Sequence, residues 1–273
     1  MPAPTDAVLV GVGSERNLPL VRLAAQEAAA HDRPLHLVHA FDWAGAFEAQ
    51  SVAGPRAEAE DLISRAAAAA NEVEPAVPVS GEIVEGGPVP ALVRRSETAF
   101  LVAVGDGGMA NCATCVPTDA PAVQLAARAG SPVLVARRDP PPQGPVLVGV
   151  DGSASSQRAL AWAYDCAARR EARLLVVRVV EEDGSDDPDL LAGIVARCGA
   201  AHPEVSAECH TIRGDPGTVL VEQSRSAQLS VVSARGDDPW RGMLGAVSQS
   251  LLYHAPSPVI VVRGIAAPPG DGA

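Results

Sequence analysis

The chain has 273 residues, of which 47% are hydrophobic, with a net charge of −12 and 21 basic residues that are all arginine. That length fits about two domains of ~150 residues, and no apolar run approaches the ~18 residues of a membrane span. The missing lysine excludes a Walker-type phosphate loop and Schiff-base chemistry. The acidity argues against nucleic acid, whose phosphates demand a basic footprint.

The first residues, MPAPTDAVLVGV, lack the basic start of a secretory signal. Five cysteines, an odd number, do not make a disulfide framework, so the cytoplasm is the expected compartment. Ala7 to Val12 then reads as a continuous apolar strand, and Leu18 to Ala30 carries helical spacing. Leu35 to Ala40 is a second strand. Asp42 to Gly54, with Trp43 and Phe47, is a loop, and Pro55 to Ala70 is helical with proline suited to a first turn. Gly81 to Val84 is a short strand, Gly86-Gly87-Pro88 a turn and Val89 to Ser96 a short helix. Phe100 to Val104 (strand), Pro121 to Ala129 (helix) and Pro132 to Ala136 (strand) complete the pattern, and RRDPPPQGP, 137–145, is a proline-rich linker.

After the linker the pattern restarts. Val8-Leu9-Val10-Gly11-Val12 recurs as Val146-Leu147-Val148-Gly149-Val150, Gly86-x-Pro88 as Gly214-x-Pro216, and Ser131-Pro132-Val133 as Ser257-Pro258-Val259. The strands are apolar throughout rather than alternating, which indicates parallel strands covered on both faces. The fold class is therefore α/β, with two doubly wound parallel-sheet domains, 1–138 and 146–264. The repeat offset is 138 residues at the first strand and 139 at the second. The first half is one residue short between them, and the simplest place for the gap is the position of Asp151.

The stretch from Ser233 to Arg263 follows a strand, Leu229 to Val232, and reads glycine loop, helix, strand. A glycine loop opening onto a helix N-terminus is a ready anion site. The stretch resembles the C-terminal signature of the universal stress protein family, Gly-x2-Gly-x9-Gly-Ser, and the resemblance extends over both halves. Here Ser233 stands at the first glycine and Gly236 keeps the second. Only eight residues precede Gly245, and Ala246 replaces the serine. The resemblance implies an adenine nucleotide alpha hydrolase-like fold with strand order 3-2-1-4-5. It further implies that the two domains pair within the chain as a pseudo-dimer through their last strands, with a homodimer as the alternative arrangement. It places a nucleotide, ATP or AMP, against Asp151, Val179, Val232, Gly236, Gly245 and Ser248.

Each of these positions also has a plainer reading. Asp151 suits the N-terminus of a helix that Ser153 or Ser155 caps, and Val179 suits a strand-end core. Asp237 and Asp238 repel a polyphosphate, while Arg235 and Arg241 compensate. In the first half, Gly105-x2-Gly108 is followed nine residues later by Thr118-Asp119. An aspartate there cancels the helix-end field, so that pocket is expected to be narrowed or blocked near Asp119. Cys112-x-x-Cys115 is half a zinc site or a redox pair. Cys166, Cys198 and Cys209 read as small core residues. His36 and His39 fall on opposite faces of a strand and cannot share a metal. Glu181 to Asp189 reads as a solvated acidic loop. The expectation is a non-enzymatic, stress-related regulatory or binding module with at most one weak ATP or AMP site, in the second domain. The alternatives are an interaction scaffold that has lost nucleotide binding, and a slow ATPase or redox protein using the C-x-x-C.

Overall fold

A computed structural model describes residues 5–41, 53–107, 120–137, 143–180, 188–235 and 242–263. Trp43, Phe47, both cysteines of the C-x-x-C, Thr118, Asp119, the acidic loop up to 187 and the Gly236 to Arg241 segment lie outside them. By contacts the chain divides into two compact units. One is Met1–Gly105 with Ala129–Ala136, and the other is Asp106–Arg128 with Arg137–Ala273.

In the first unit, β1 (Val8–Gly11), β2 (Leu35–Phe41), β3 (Val79–Glu85), β4 (Leu101–Gly105) and β5 (Val133–Ala136) form the order β3-β2-β1-β4-β5. All of its pairings are parallel. The helices are α1 (Leu18–Ala30), α2 (Ala53–Val73) and α3 (Pro88–Ser96). The second unit repeats this with β6 (Val146–Val150), β7 (Leu174–Val180), β8 (Ala207–Arg213), β9 (Leu229–Ser233) and β10 (Val259–Val262), ordered β8-β7-β6-β9-β10 and again parallel. Its helices are α5 (Ala154–Arg169), α6 (Pro188–Gly199), α7 (Pro216–Gln223) and α8 (Ala246–His254). The helix α4 (Pro121–Arg128) belongs to this unit by contact, although it falls in the first repeat by sequence. The expected strand order and doubly wound architecture are both present.

The unbroken apolar strands are explained by burial on both faces. Consecutive residues point to opposite faces, and Val8, Leu9 and Val10, Val146, Leu147 and Val148, and Val259, Ile260 and Val261 are all at most 1% exposed. Each such side chain contributes about 1.5–3 kcal/mol relative to exposure. Helix starts are set locally. The Ser153 side chain accepts from Ser156 N at the head of α5, and Asp215 accepts from Thr218 N at the head of α7, where Pro216 supplies a first-turn φ. Gly86 and Gly214, equivalent in the repeats, take φ of +102° and +145° between edge strand and helix, a region that side-chain-bearing residues avoid. The edge strands are the least buried, and there one expectation fails. Cys209, on β8, is exposed rather than core, because an edge strand leaves one face uncovered; Cys166 is buried and Cys198 half-buried.

Within the second unit, two arginines close helix ends. Arg137, 3% exposed at its side chain, donates to the carbonyls of Leu251 at 2.7 Å, Leu252 at 2.9 Å and Ser257 at 3.1 Å, and Asp106 stands 3.6 Å away. Arg263, its counterpart in the second repeat, donates to Ala126 O at 3.2 Å, and Gly242 N to Ala127 O at 2.9 Å. Carbonyls in the last turns of α8 and α4 thus gain donors from beyond their own helices, Leu251 O in addition to the amide of Ala255. Among the described residues no helix is long and apolar enough to cross a membrane, and no cluster of three or more His, Cys, Asp or Glu side chains is placed to hold a metal.

Candidate functional site

The order β8-β7-β6-β9-β10 places β6 between β7 and β9, so the connections leaving its carboxyl end diverge to opposite faces. Ligands of open α/β sheets bind in the crevice opened by such a divergence. A cavity of about 250 Å³ lies there, at the carboxyl ends of β6, β7 and β9. Its apolar wall is Val177 and Val179 from β7, Leu220 from α7 and Val232 from β9. Gly149 lies on its floor because nothing larger fits: a Cβ there would stand 2.7 Å from Leu220 Cδ1. Gly11 and Leu92 repeat this approach in the first unit, at 2.9 Å.

The polar groups separate to opposite sides. Asp151 closes the end of β6 and accepts from Ser153 N at 2.9 Å. Burial pushes its carboxyl up, but the hydroxyl and amide of Ser153 and the hydroxyl of Ser156 outweigh that and hold it below the usual carboxylate range. It is therefore an anion in the crevice at neutral pH. Facing it are Arg235 and the first residues of α8, Ala246 and Val247. Gly245 is the N-cap of α8 and no side chain caps it. First-turn amides of a helix lack intrahelical acceptors and carry partial positive charge. The lining thus combines a carboxylate acceptor, apolar side chains and a cationic, donor-bearing segment. That arrangement suits a ligand with hydroxyls, a flat apolar ring and an anionic group.

Of the sequence-derived candidates, Asp151, Val179, Val232 and Gly245 line this one cavity. Gly236 lies outside the described residues. Ser248 stands behind the wall: its hydroxyl donates to Ser233 O at 2.6 Å and ties α8 to β9. The Gly245 amide is also committed, to Ala234 O at 2.8 Å. Asp151 serves the helix start as well as the crevice, and the cap proper is Ser153, through Ser156 N at 3.1 Å. Sequence reasoning missed Ser156, Pro216 and Leu220. Gly214-x-Pro216 was visible as a repeated turn, and the leucine four residues on was the available signal.

The matching crevice of the first repeat is built differently. The residue missing at the Asp151 position is replaced in function by Asn17, at the end of a single 3-10 turn, Glu15–Asn17. Its Oδ1 accepts from Gly13 N at 3.0 Å and Ser14 N at 3.1 Å. Its Nδ2 stands 3.3 Å from where a Cβ on Gly105 would be. The side chain therefore spans from the β1–α1 turn to the end of β4. His39 Nδ1 meets Val12 O at 2.7 Å and takes another group at the crevice mouth.

Two five-stranded doubly wound domains in tandem, the second with a crevice at its topological switch point, define the class: a tandem α/β protein. The model of the universal stress protein family matches residues 4–137 and again 144–263. The chain belongs to that family. A universal stress protein of Mycolicibacterium smegmatis is 31% identical over 285 aligned positions, covering 94% of this chain and 96% of that protein. One from Mycobacterium tuberculosis is 33% identical over 273 positions, covering 89% and 91%. A universal stress protein of Archaeoglobus fulgidus, solved by crystallography, superposes with a TM-score of 0.73 at 16% identity over 94% of this chain and 97% of that one. At that identity the likeness concerns the fold alone.

Proposed function

We propose that the protein is a stress-linked regulatory binding module of the cytoplasm, and that its second repeat, 146–264, holds one weak adenine-nucleotide site for ATP or AMP. The observation that carries this is the asymmetry of the two crevices. Asp151 and Arg235 flank a cavity of about 250 Å³ in one repeat, whereas Asn17 spans the other through Gly13 N and Ser14 N. In this reading the ribose hydroxyls go to Asp151, the adenine ring to Val177 and Val179, and the phosphate to Arg235 and the head of α8, and the lining of the cavity by these residues supports it. Binding rather than catalysis is the reading because Asp151 is the one carboxylate lining the cavity among the described residues, and it is already engaged by Ser153 N.

Calorimetry of the intact chain with AMP, and with ATP and Mg²⁺, tests the reading. One site per chain, lost in Asp151→Ala, is the expected result. Two equivalent sites, or binding unaffected by that substitution, would overturn it. One observation favours the scaffold reading instead: the Ser248 hydroxyl and the Gly245 amide are both bonded to backbone carbonyls. Native mass spectrometry of freshly purified protein separates the two readings, since a scaffold carries no co-purified nucleotide.

A further inference from the structure

At the β2–β3 edge of the first unit, four side chains form a chain of hydrogen bonds that the proposed nucleotide site does not use. His36, on β2, is 3% exposed. It is directly opposite Ser80 on β3, with Glu82 two residues further along the same face. The imidazole bridges them: Nδ1 lies 2.8 Å from Ser80 Oγ and Nε2 lies 3.1 Å from Glu82 Oε1. Arg95, from α3, grips Glu82 with a fork, Nε to Oε1 and Nη2 to Oε2, the latter at 2.8 Å. Ser80 is exposed, while the other three are buried or half-buried.

The direction of the relay follows from which groups accept. A carboxylate held by an arginine fork is ionised and only accepts. The ring nitrogen facing Glu82 therefore carries the proton. In the neutral ring the other nitrogen is then an acceptor, and the Ser80 hydroxyl must donate to it. The same conclusion holds if the ring is turned over, because it depends only on which neighbour accepts. The result is a solvent-facing hydroxyl whose proton points at a buried base, itself oriented by a buried carboxylate. Those are the parts and the order of an activated serine nucleophile.

We propose that Ser80 is an acyl-acceptor site, modified by small activated acyl donors. Ser80 Oγ attacks the acyl carbonyl and its proton passes to His36 Nδ1. The bond from the carbonyl carbon to the leaving group breaks, and the leaving group takes the proton from His36. An ester on Ser80 is the product, with no change of redox state. Glu82 and Arg95 are positioning residues: they fix the tautomer and hold the ring.

The test uses the full chain and p-nitrophenyl acetate. Nitrophenolate release is followed spectroscopically, and the acetylated position is found by peptide mass mapping. Acetylation concentrated on Ser80 is expected, absent in Ser80→Ala and slowed roughly 10²-fold or more in His36→Gln, the scale of lost general-base assistance. Glu82→Gln, which removes the carboxylate's negative charge but keeps the shape, is expected to slow it as well. Circular dichroism establishes that each variant is folded, and Glu82→Gln carries the test if His36→Gln is not. Acetylation scattered over other nucleophiles with Ser80 spared would overturn the proposal. So would acetylation of Ser80 at an unchanged rate in the folded variants.

Discussion

Gly149→Ala tests whether the crevice of the second repeat is as tight as its geometry states. The added Cβ would lie 2.7 Å from Leu220 Cδ1 and 3.4 Å from Cδ2. Carbon atoms pack at ~3.5–4.0 Å, so Leu220 must retreat by roughly 1 Å. It is 4% exposed and sits against the sheet, so the retreat either strains its rotamer, at about 0.5–1.5 kcal/mol, or drives it into the ligand cavity. Overpacking of this kind costs about 1–3 kcal/mol in total. The expected result is a stability loss of that size in urea denaturation, with nucleotide affinity reduced about tenfold in calorimetry, a difference of ~1.4 kcal/mol. Gly11→Ala is the internal control, since its Cβ would meet Leu92 Cδ1 at 2.9 Å in the first repeat. It is expected to cost similar stability and to leave binding unchanged. Wild-type stability and affinity in Gly149→Ala would refute the argument that Leu220 has no room to yield.

Arg137→Met removes three charge-assisted bonds to Leu251, Leu252 and Ser257. Each such bond is worth about 1.5–3 kcal/mol, partly offset by relief of a buried charge, so a net loss of about 3 kcal/mol and a lower melting temperature are expected by calorimetry. Asp151 and Glu82 are both held below their ordinary range: burial raises each, but the serines around Asp151, and Arg95 with His36 around Glu82, outweigh it. A carboxylate with a depressed folded-state pKa stabilises the protein fully above its unfolded value and loses that contribution as pH falls through the folded one. Denaturation from about pH 6 down to about pH 3 should therefore show a falling stability that is shallower in Asp151→Asn and in Glu82→Gln. Changing Asp237 and Asp238 to Gly and Ala246 to Ser removes two like charges and adds a hydroxyl where Ala246 lines the cavity. ATP affinity measured with Mg²⁺ should rise.

The fold was legible because the repeat was. Ser-Pro-Val before each last strand, Gly-x-Pro before each third-strand helix, and unbroken valine and leucine runs indicate parallel strands in two repeats, while their order, 3-2-1-4-5, came from the resemblance to the universal stress protein family. The bounds of α1 agree residue for residue with the spacing that predicted them, and α2 runs three residues beyond its alanine-rich stretch. Asp151, Val179, Val232 and Gly245, which line the crevice, were named from the resemblance to the family, whose motif positions fall at strand ends and helix starts. The placing of Ser248 was not legible, because sequence places a hydroxyl on a helix but does not say whether it faces a ligand or a carbonyl. Asn17 and His39 were missed for the same reason. A polar residue at a helix entrance or on a strand carries no mark of the distant group it reaches. The relay at His36 was hidden because its partners, Ser80 and Glu82, become neighbours only through the register of β2 against β3.

The membership of α4 and Arg137 in the second unit has a consequence for how the protein is made. Their partners, Leu251, Leu252, Ser257 and Arg263, are encoded more than 110 residues downstream. At a ribosomal rate of about 5–20 residues per second, α4 waits roughly 6–25 seconds for them. Throughout that interval the carbonyls of Ala126 and Ala127 lack the donors that Arg263 and Gly242 supply in the finished molecule. The first repeat therefore leaves the ribosome with a helix end that only the end of the message can close.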